Sequence, residues 1–174
     1  MTARPGPGSG GVTVGAVQPG DRAAVLALAG LRRDWARERG QDTTAPAAFV
    51  AAFVAWTERT AGAHTAFLAR RADVPVGMGW LAVVERVPDV DRPVRRSGLV
   101  QSVFVLPAQR DRGLGEVLVT ALLDHARRQD LDYVEVHPSE RSFPFYRRLG
   151  FENGGGTLRL RLSGAAAPAT GRAT

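Results

Sequence analysis

The chain has 174 residues, 44% hydrophobic and 23% charged, the balance of a globular protein with length for one domain and one sizeable core. Its formal net charge is +6 and its pI about 11.2, and all 23 basic residues are arginine. Without lysine there is no GK[ST] phosphate loop and no Schiff-base amine; without cysteine there is no disulfide, thiolate zinc site or thiol nucleophile.

Residues 1–11 are rich in Gly and Pro and are expected to form a disordered N-terminal segment. They contain one Arg and no apolar stretch of signal-peptide type, so a cytoplasmic location is the default expectation. Val12 to Val17 reads as a first strand. Asp21 after Pro19-Gly20 is placed to cap a helix carrying Ala24, Val25, Leu28, Leu31 and Trp35, which Gly40 stops. Thr43 or Thr44 is expected to cap a second helix, with Pro46 in its first turn and Phe49, Val50, Phe53, Val54 and Trp56 on its apolar face. That apolar run is too short to span a bilayer.

Past Gly62 the pattern turns to strands. His64 to Arg70 is one, and Val76 to Val87 the next, after a turn at Asp73-Val74-Pro75. Pro88 to Arg96 is read as a charged, solvated hairpin tip. Leu99 to Leu106 is nearly continuous in apolar residues and belongs at the centre of a sheet. A helix over Leu114 to Gln129, a strand over Leu131 to Val136, a short helix over Ser142 to Leu149 and closing strands at Phe151 and at Thr157 to Leu162 complete residues 12–162 as one domain. Residues 163–174 read as a flexible tail. The order gives a mixed α/β domain whose strand–turn–helix–strand unit is a parallel crossover.

The junction from Val103 to Gly115 carries the chemistry. A buried strand ends at Pro107, and Arg110-x-x-Gly113-x-Gly115 opens a helix. Unpaired amides at a helix N-terminus carry partial positive charge, and glycines let an anion approach them. Leu118 stands where a dinucleotide fingerprint needs its third glycine, so that reading is rejected.

Arg-x-x-Gly-x-Gly after a strand ending V-x-P resembles the acetyl-CoA motif of the GNAT superfamily of N-acetyltransferases. Downstream, Tyr146-Arg147-Arg148-Leu149-Gly150-Phe151 resembles that family's Y-x-x-x-G-F signature, one helix and one strand later, as the family has it. The resemblance covers roughly residues 12–162. It implies a single-domain GNAT fold, with a mostly antiparallel mixed sheet, flanking helices and a parallel β-α-β core at the cofactor site. It implies acetyl-CoA as donor substrate, with amides of Asp111, Arg112, Gly113, Leu114, Gly115 and Glu116 on the pyrophosphate and the Arg110 or Arg112 side chain assisting. The backbone of Val103, Phe104 and Val105 would pair with the pantetheine arm and polarise the thioester carbonyl. Tyr146 matches the general acid that protonates the departing thiolate. Ser139 stands seven residues before Tyr146, where the family often has a cofactor-contacting Asn, and Ser142 joins it as a candidate contact.

The general base stays open between Glu85, Glu135 and His137, since the central strand offers only Gln101 and Ser102. His64, His125 and His137 are too far apart in sequence for a metal motif, so no metal is expected. Arginines spread among 17 acidic residues predict no specific nucleic-acid binding. The function implied is direct acetyl transfer to a primary amine of a small molecule or peptide, with no membrane partner. Dimers are common among similar proteins. The alternative is a non-catalytic acyl-CoA-binding regulator of the same fold.

Overall fold

The structure, a computed structural model, describes residues 11–44, 46–153 and 157–162. The expected N-terminal segment, apart from Gly11, and the expected C-terminal tail lie outside them. In chain order the elements are β1 (Val12–Ala16), α1 (Arg22–Glu38), α2 (Pro46–Thr60), β2 (His64–Arg71), β3 (Val74–Glu85), β4 (Arg96–Val105), α3 (Leu114–Arg128), β5 (Tyr133–Val136), α4 (Phe143–Arg148), β6 (Glu152–Asn153) and β7 (Leu158–Arg161). The described strands form one sheet in the order β1-β2-β3-β4-β5-β7-β6. Only β4 and β5 run parallel, joined through α3; every other neighbour is antiparallel.

Local chemistry sets the element ends. Asp21 accepts the Ala24 amide at 3.0 Å and starts α1. Gly40, at φ +69°, ends it by letting the Gln41 amide reach back to the Ala36 carbonyl at 3.0 Å. The residue before α2 is Ala45, so the junction where a threonine cap is expected lies outside the described residues. Asp42 holds the Thr44 amide at 2.8 Å. The β2–β3 turn falls at Ala72-Asp73 rather than at Asp73-Val74-Pro75. Both residues adopt positive φ, the geometry that matches the twist of a two-residue hairpin, and this lets β3 start at Val74.

Alternating residues sort into two cores, one on each face of the sheet. Phe67, Ala69, Val76, Leu81 and Val100 face α3 through Leu118, Val119, Leu122 and Ala126. Ala66, Leu68, Met78, Trp80 and Phe104 face α1 and α2, meeting Leu28, Leu31, Trp35, Phe53 and Trp56. Strand period two gives this division, except that Val76 and Met78 fall on opposite faces across the register shift between Ala69 and Arg70. β4 breaks its own period once. Met78 pairs Phe104 and Trp80 pairs Gln101, so between these pairs the single residue Gly79 of β3 opposes two of β4, Ser102 and Val103. The extra residue is a bulge at Ser102, held at φ +51°. It shifts the parity, so that Val103 and Val105 join the α3 face and Phe104 the α1 face.

The hairpin tip between β3 and β4 is less free than its charge suggests. Arg92 pairs with Asp132 and Arg86 donates to the Tyr133 hydroxyl, tying the tip to the β5 edge. Among the described residues no helix is long and apolar enough to cross a membrane.

Gly98 sits at a tightly packed point of the α3-side core. A Cβ there would lie 2.9 Å from Leu81 Cδ1 and 3.1 Å from both Leu131 Cδ1 and Val134 Cγ2. Gly98→Val is therefore expected to cost about 1–3 kcal/mol through overpacking. Urea unfolding checks this: the midpoint should fall at constant slope. An unmoved midpoint would show that these side chains yield freely.

Candidate active site

β5 accompanies β4 for three pairs only: Gly98 with Val134, Leu99 with Glu135, and Val100 with Val136. His137 and Pro138 then lead away, and Pro138 has no amide to extend the ladder. From Gln101 to Val105 the β5-side edge of β4 has no strand beside it among the described residues. A cavity of about 970 Å³ occupies the gap. Its walls are β4, the turn before α3, the 136–142 segment, α4, and Trp35 and Glu38 of α1. It therefore draws on elements from both faces of the sheet.

Val103, Phe104, Val105, Arg110, Asp111, Gly113, Leu114, Gly115, Glu116, Ser139, Ser142 and Tyr146 all line this cavity, while Arg112 does not. Gly113 is the residue before α3, at φ +75°, and Asp111 is also left-handed at φ +59°. Among the described residues no side chain caps α3, which leaves its first-turn amides available to an anion. A Cβ at Gly115 would meet only the Phe145 ring, at 3.6 Å, an ordinary contact. Packing does not require a glycine there, which leaves bare backbone for a ligand's close approach. An open strand edge, uncapped amides and a roomy gap together fit a phosphorylated, extended donor such as acetyl-CoA.

The Arg110 side chain is used differently from the expectation. Its two terminal nitrogens each donate to Glu38 at 2.6 Å, and its Nε donates to the Val105 carbonyl at 3.0 Å. This bond lowers the Glu38 carboxyl and raises the Arg110 guanidinium from their ordinary values. Arg110 thus clamps α1 to the end of β4, with its guanidinium already bonded. The arginines that line the cavity without appearing in the expectation are Arg141 and Arg148. Glu38 also went unread, because it lies 72 positions from its partner.

Tyr146 owes its position to the way α4 ends. The Gly150 amide donates to the Arg147 carbonyl, the Phe151 amide to the Tyr146 carbonyl, both at 3.1 Å, and Gly150 takes φ +87°. This is a Schellman motif, and its apolar contact is the Phe151 ring edge-on to Tyr146 at 5.4 Å. Y-x-x-x-G-F is thus a helix-ending signal that seats a tyrosine beside the cavity. Tyr146 is buried, and desolvation pushes its phenol up to about 12. Ser139 and Ser142 close the loop before α4, their hydroxyls 2.9 Å apart.

Of the three base candidates, His137 alone lines the cavity. Glu85 does not reach it: it is exposed at the hairpin end of β3, opposite Arg96. Glu135 faces away into an ion pair with Arg159, at 3.0 and 2.6 Å. Position along the chain placed Glu85 near the strand, but the pleat and the hairpin carry it outside. His125 is a boundary residue of α3, packed on Phe67 with burial lowering its imidazole. Among the described residues no three His, Asp or Glu could share a metal ion.

Residues 27–151 match the model of the acetyltransferase (GNAT) family. The chain belongs to that family. It is 36% identical over 75 residues to a glucosamine 6-phosphate N-acetyltransferase of Trypanosoma brucei brucei, covering 43% of this chain and 51% of that protein. It is 38% identical over 88 residues to a mycothiol acetyltransferase of Thermobispora bispora, covering 49% of this chain and 29% of that protein. The matched stretches span 51% of the first relative and 29% of the second. A GNAT family acetyltransferase from Brucella melitensis, solved in complex with acetyl-CoA, shares the fold with TM-score 0.63 at 16% identity, over 87% of this chain and 88% of that one.

The raised phenol gives a signed prediction. A tyrosine at about 12 when folded and near 10 when unfolded favours the folded state below pH 10. That contribution is lost as pH climbs from about 10 to 12. The Tyr146→Phe variant lacks this loss, so its stability should fall less than the parent's across that window. With no lysine and two tyrosines in the chain, tyrosinate absorbance should also lose its late-titrating component. Equal alkaline sensitivity in both proteins would contradict the burial of this phenol.

Proposed function

We propose that the chain transfers an acetyl group from acetyl-CoA directly to a primary amine of a small-molecule acceptor. The observation that carries this reading is the gap between β4 and β5, with uncapped helix amides at one end and Tyr146 on its wall. In this reading the amides from Asp111 to Glu116 hold the pyrophosphate. Amides along Val103 to Val105 line the thioester and stabilise charge on its carbonyl oxygen as the amine nitrogen attacks. Ser139 and Ser142 border the same segment of the donor. No thiol exists to carry the acetyl group, so the amine is acylated in a single complex.

Tyr146 acts here on the leaving sulfur. A phenol at about 12 is protonated at neutral pH and donates a hydrogen bond to the thiolate as it forms. Complete proton transfer to a thiolate of ordinary basicity, near 8.5, would run uphill by roughly 5 kcal/mol. The phenol therefore stabilises the departing thiolate through this hydrogen bond and keeps its proton, so that coenzyme A leaves as the thiolate. Of the three candidate bases His137 is the one that lines the cavity, and its imidazole has a lone pair that can take the proton of the attacking amine. The Glu38 carboxylate is already bonded to Arg110 and is a poor competitor for that role.

A thermal-shift series with acetyl-CoA, coenzyme A and NAD tests the donor half. At 100 times its dissociation constant a ligand stabilises by about 2.7 kcal/mol, and only the two coenzyme A species should do so. Gly113→Asp, which sets a carboxylate beside the amides, should remove the shift. No shift in the parent protein would sink the reading. The chemistry is tested by free-thiol release over a panel of amines. Tyr146→Phe should lower kcat by roughly 100-fold, the scale for losing one well-placed donor, with donor affinity kept. Full turnover in that variant would remove Tyr146 from the mechanism. Donor binding with no turnover on any amine would favour the regulatory alternative.

A further inference from the structure

A second cleft of about 340 Å³ lies between α1 and the segment that leads into α2. Arg32, Arg33 and Arg39 line it, together with one carboxylate, Asp42. Asp42 already accepts the Thr44 amide and hydroxyl at 2.8 and 3.0 Å. None of the described ion pairs uses these three arginines. Arg39 donates to the neutral Gln41 amide at 2.9 Å. Nη1 of Arg32 and Nε of Arg33 are buried with no acceptor among the described residues.

The guanidiniums of Arg32 and Arg39 both sit over the Trp35 ring, their Cζ atoms 4.6 and 4.8 Å from its centroid. Two like charges thus share one indole, and burial together with Arg39 lowers the Arg32 guanidinium from its ordinary value. Buried donors without acceptors and cations without a counter-ion are both costly. An anion would relieve both at once.

The place of the cleft says whose anion it takes. α3 lies on one face of the sheet, α1 and α2 on the other. The cavity passes through the sheet where β4 and β5 part, and Trp35 belongs to its wall. A donor seated on the α3 amides leaves the α1 face for the acceptor. We propose that the Arg32–Arg33–Arg39 cleft is an anion site that holds the phosphate or carboxylate of the acceptor while its amine enters the cavity past Trp35. The acceptor role rests on the donor reading above; the anion site does not.

The test uses the whole protein and inorganic phosphate as probe, titrated with and without saturating coenzyme A and followed by tryptophan fluorescence. Phosphate should bind in both conditions. In Arg32→Gln/Arg39→Gln, affinity should fall at least about tenfold, the scale of one lost charge-assisted hydrogen bond. Arg39→Gln alone, at an exposed position, should show part of the loss and guards against misfolding of the double variant. Retained coenzyme A binding reports an intact fold. Phosphate binding that is absent, or equal in parent and variants, overturns the site.

Matched amines then read the acceptor role: an aminosugar with and without phosphate, and an amino acid with and without a free carboxylate. The parent should prefer one charged member in kcat/KM, which identifies the source of the anion, and the double variant should lose that preference. Phosphate binding that responds to the substitutions while the preference is absent or unmoved overturns the acceptor role. Failure of coenzyme A to bind overturns the donor reading instead, and the phosphate titration without it still decides the cleft.

Discussion

The early parting of β4 and β5 is the constraint on which the rest of the structure depends. A parallel pair that ran its full length would close the sheet and leave no route through it. Three paired residues are enough to fix β5 against the core through Val134 and Val136. The bulge at Ser102 lies two residues past the last pair, Val100 with Val136. It turns Val103 and Val105 toward one core and Phe104 toward the other, so the open stretch of β4 remains anchored by side chains on both faces. An unpartnered strand edge is ordinarily a liability. Here it forms one wall of a cavity that α1 and α4 also line.

Two helix ends aim at that opening by opposite means. α3 begins without a side-chain cap, which leaves donors exposed. α4 ends with every device of a Schellman motif, which leaves nothing loose and presses Tyr146 into place. The first is poised to bind and the second to hold a side chain still. The Arg110–Glu38 clamp then ties α1, on the other face, to the same mouth. Its bidentate geometry is the planar match that a guanidinium makes with a carboxylate.

Features that depend on neighbours in sequence were legible. The Asp21 cap, the Gly40 and Gly150 stops, the apolar period of α3 and both family motifs each rest on residues within about one or two turns of one another. What was not legible depended on distance in sequence or on parity. Nothing near Arg110 announces Glu38, so the arginine read as a phosphate ligand. Glu85 looked close to the central strand because the hairpin joins them, but register places it opposite Arg96, at the far end from the bulge. The apolar run from Leu99 to Leu106 hides the bulge itself, since Gln101-Ser102 reads equally well as a polar pair in a plain strand. The basic cleft was missed because Arg32, Arg33 and Arg39 look like the solvated face of a helix until the chain folds back at Asp42.

The exclusive use of arginine has a chemical consequence. Every described ion pair, including the clamp at the cavity mouth, is made by a guanidinium. A guanidinium stays protonated across the physiological range and offers no free lone pair to an acyl donor. Lysine in place of Arg110 would put a nucleophilic amine on the cavity wall, and its acylation would erase that charge from the scaffold. The ion pairs here are inert to the group that the proposed reaction moves, so the fold cannot be neutralised by its own donor.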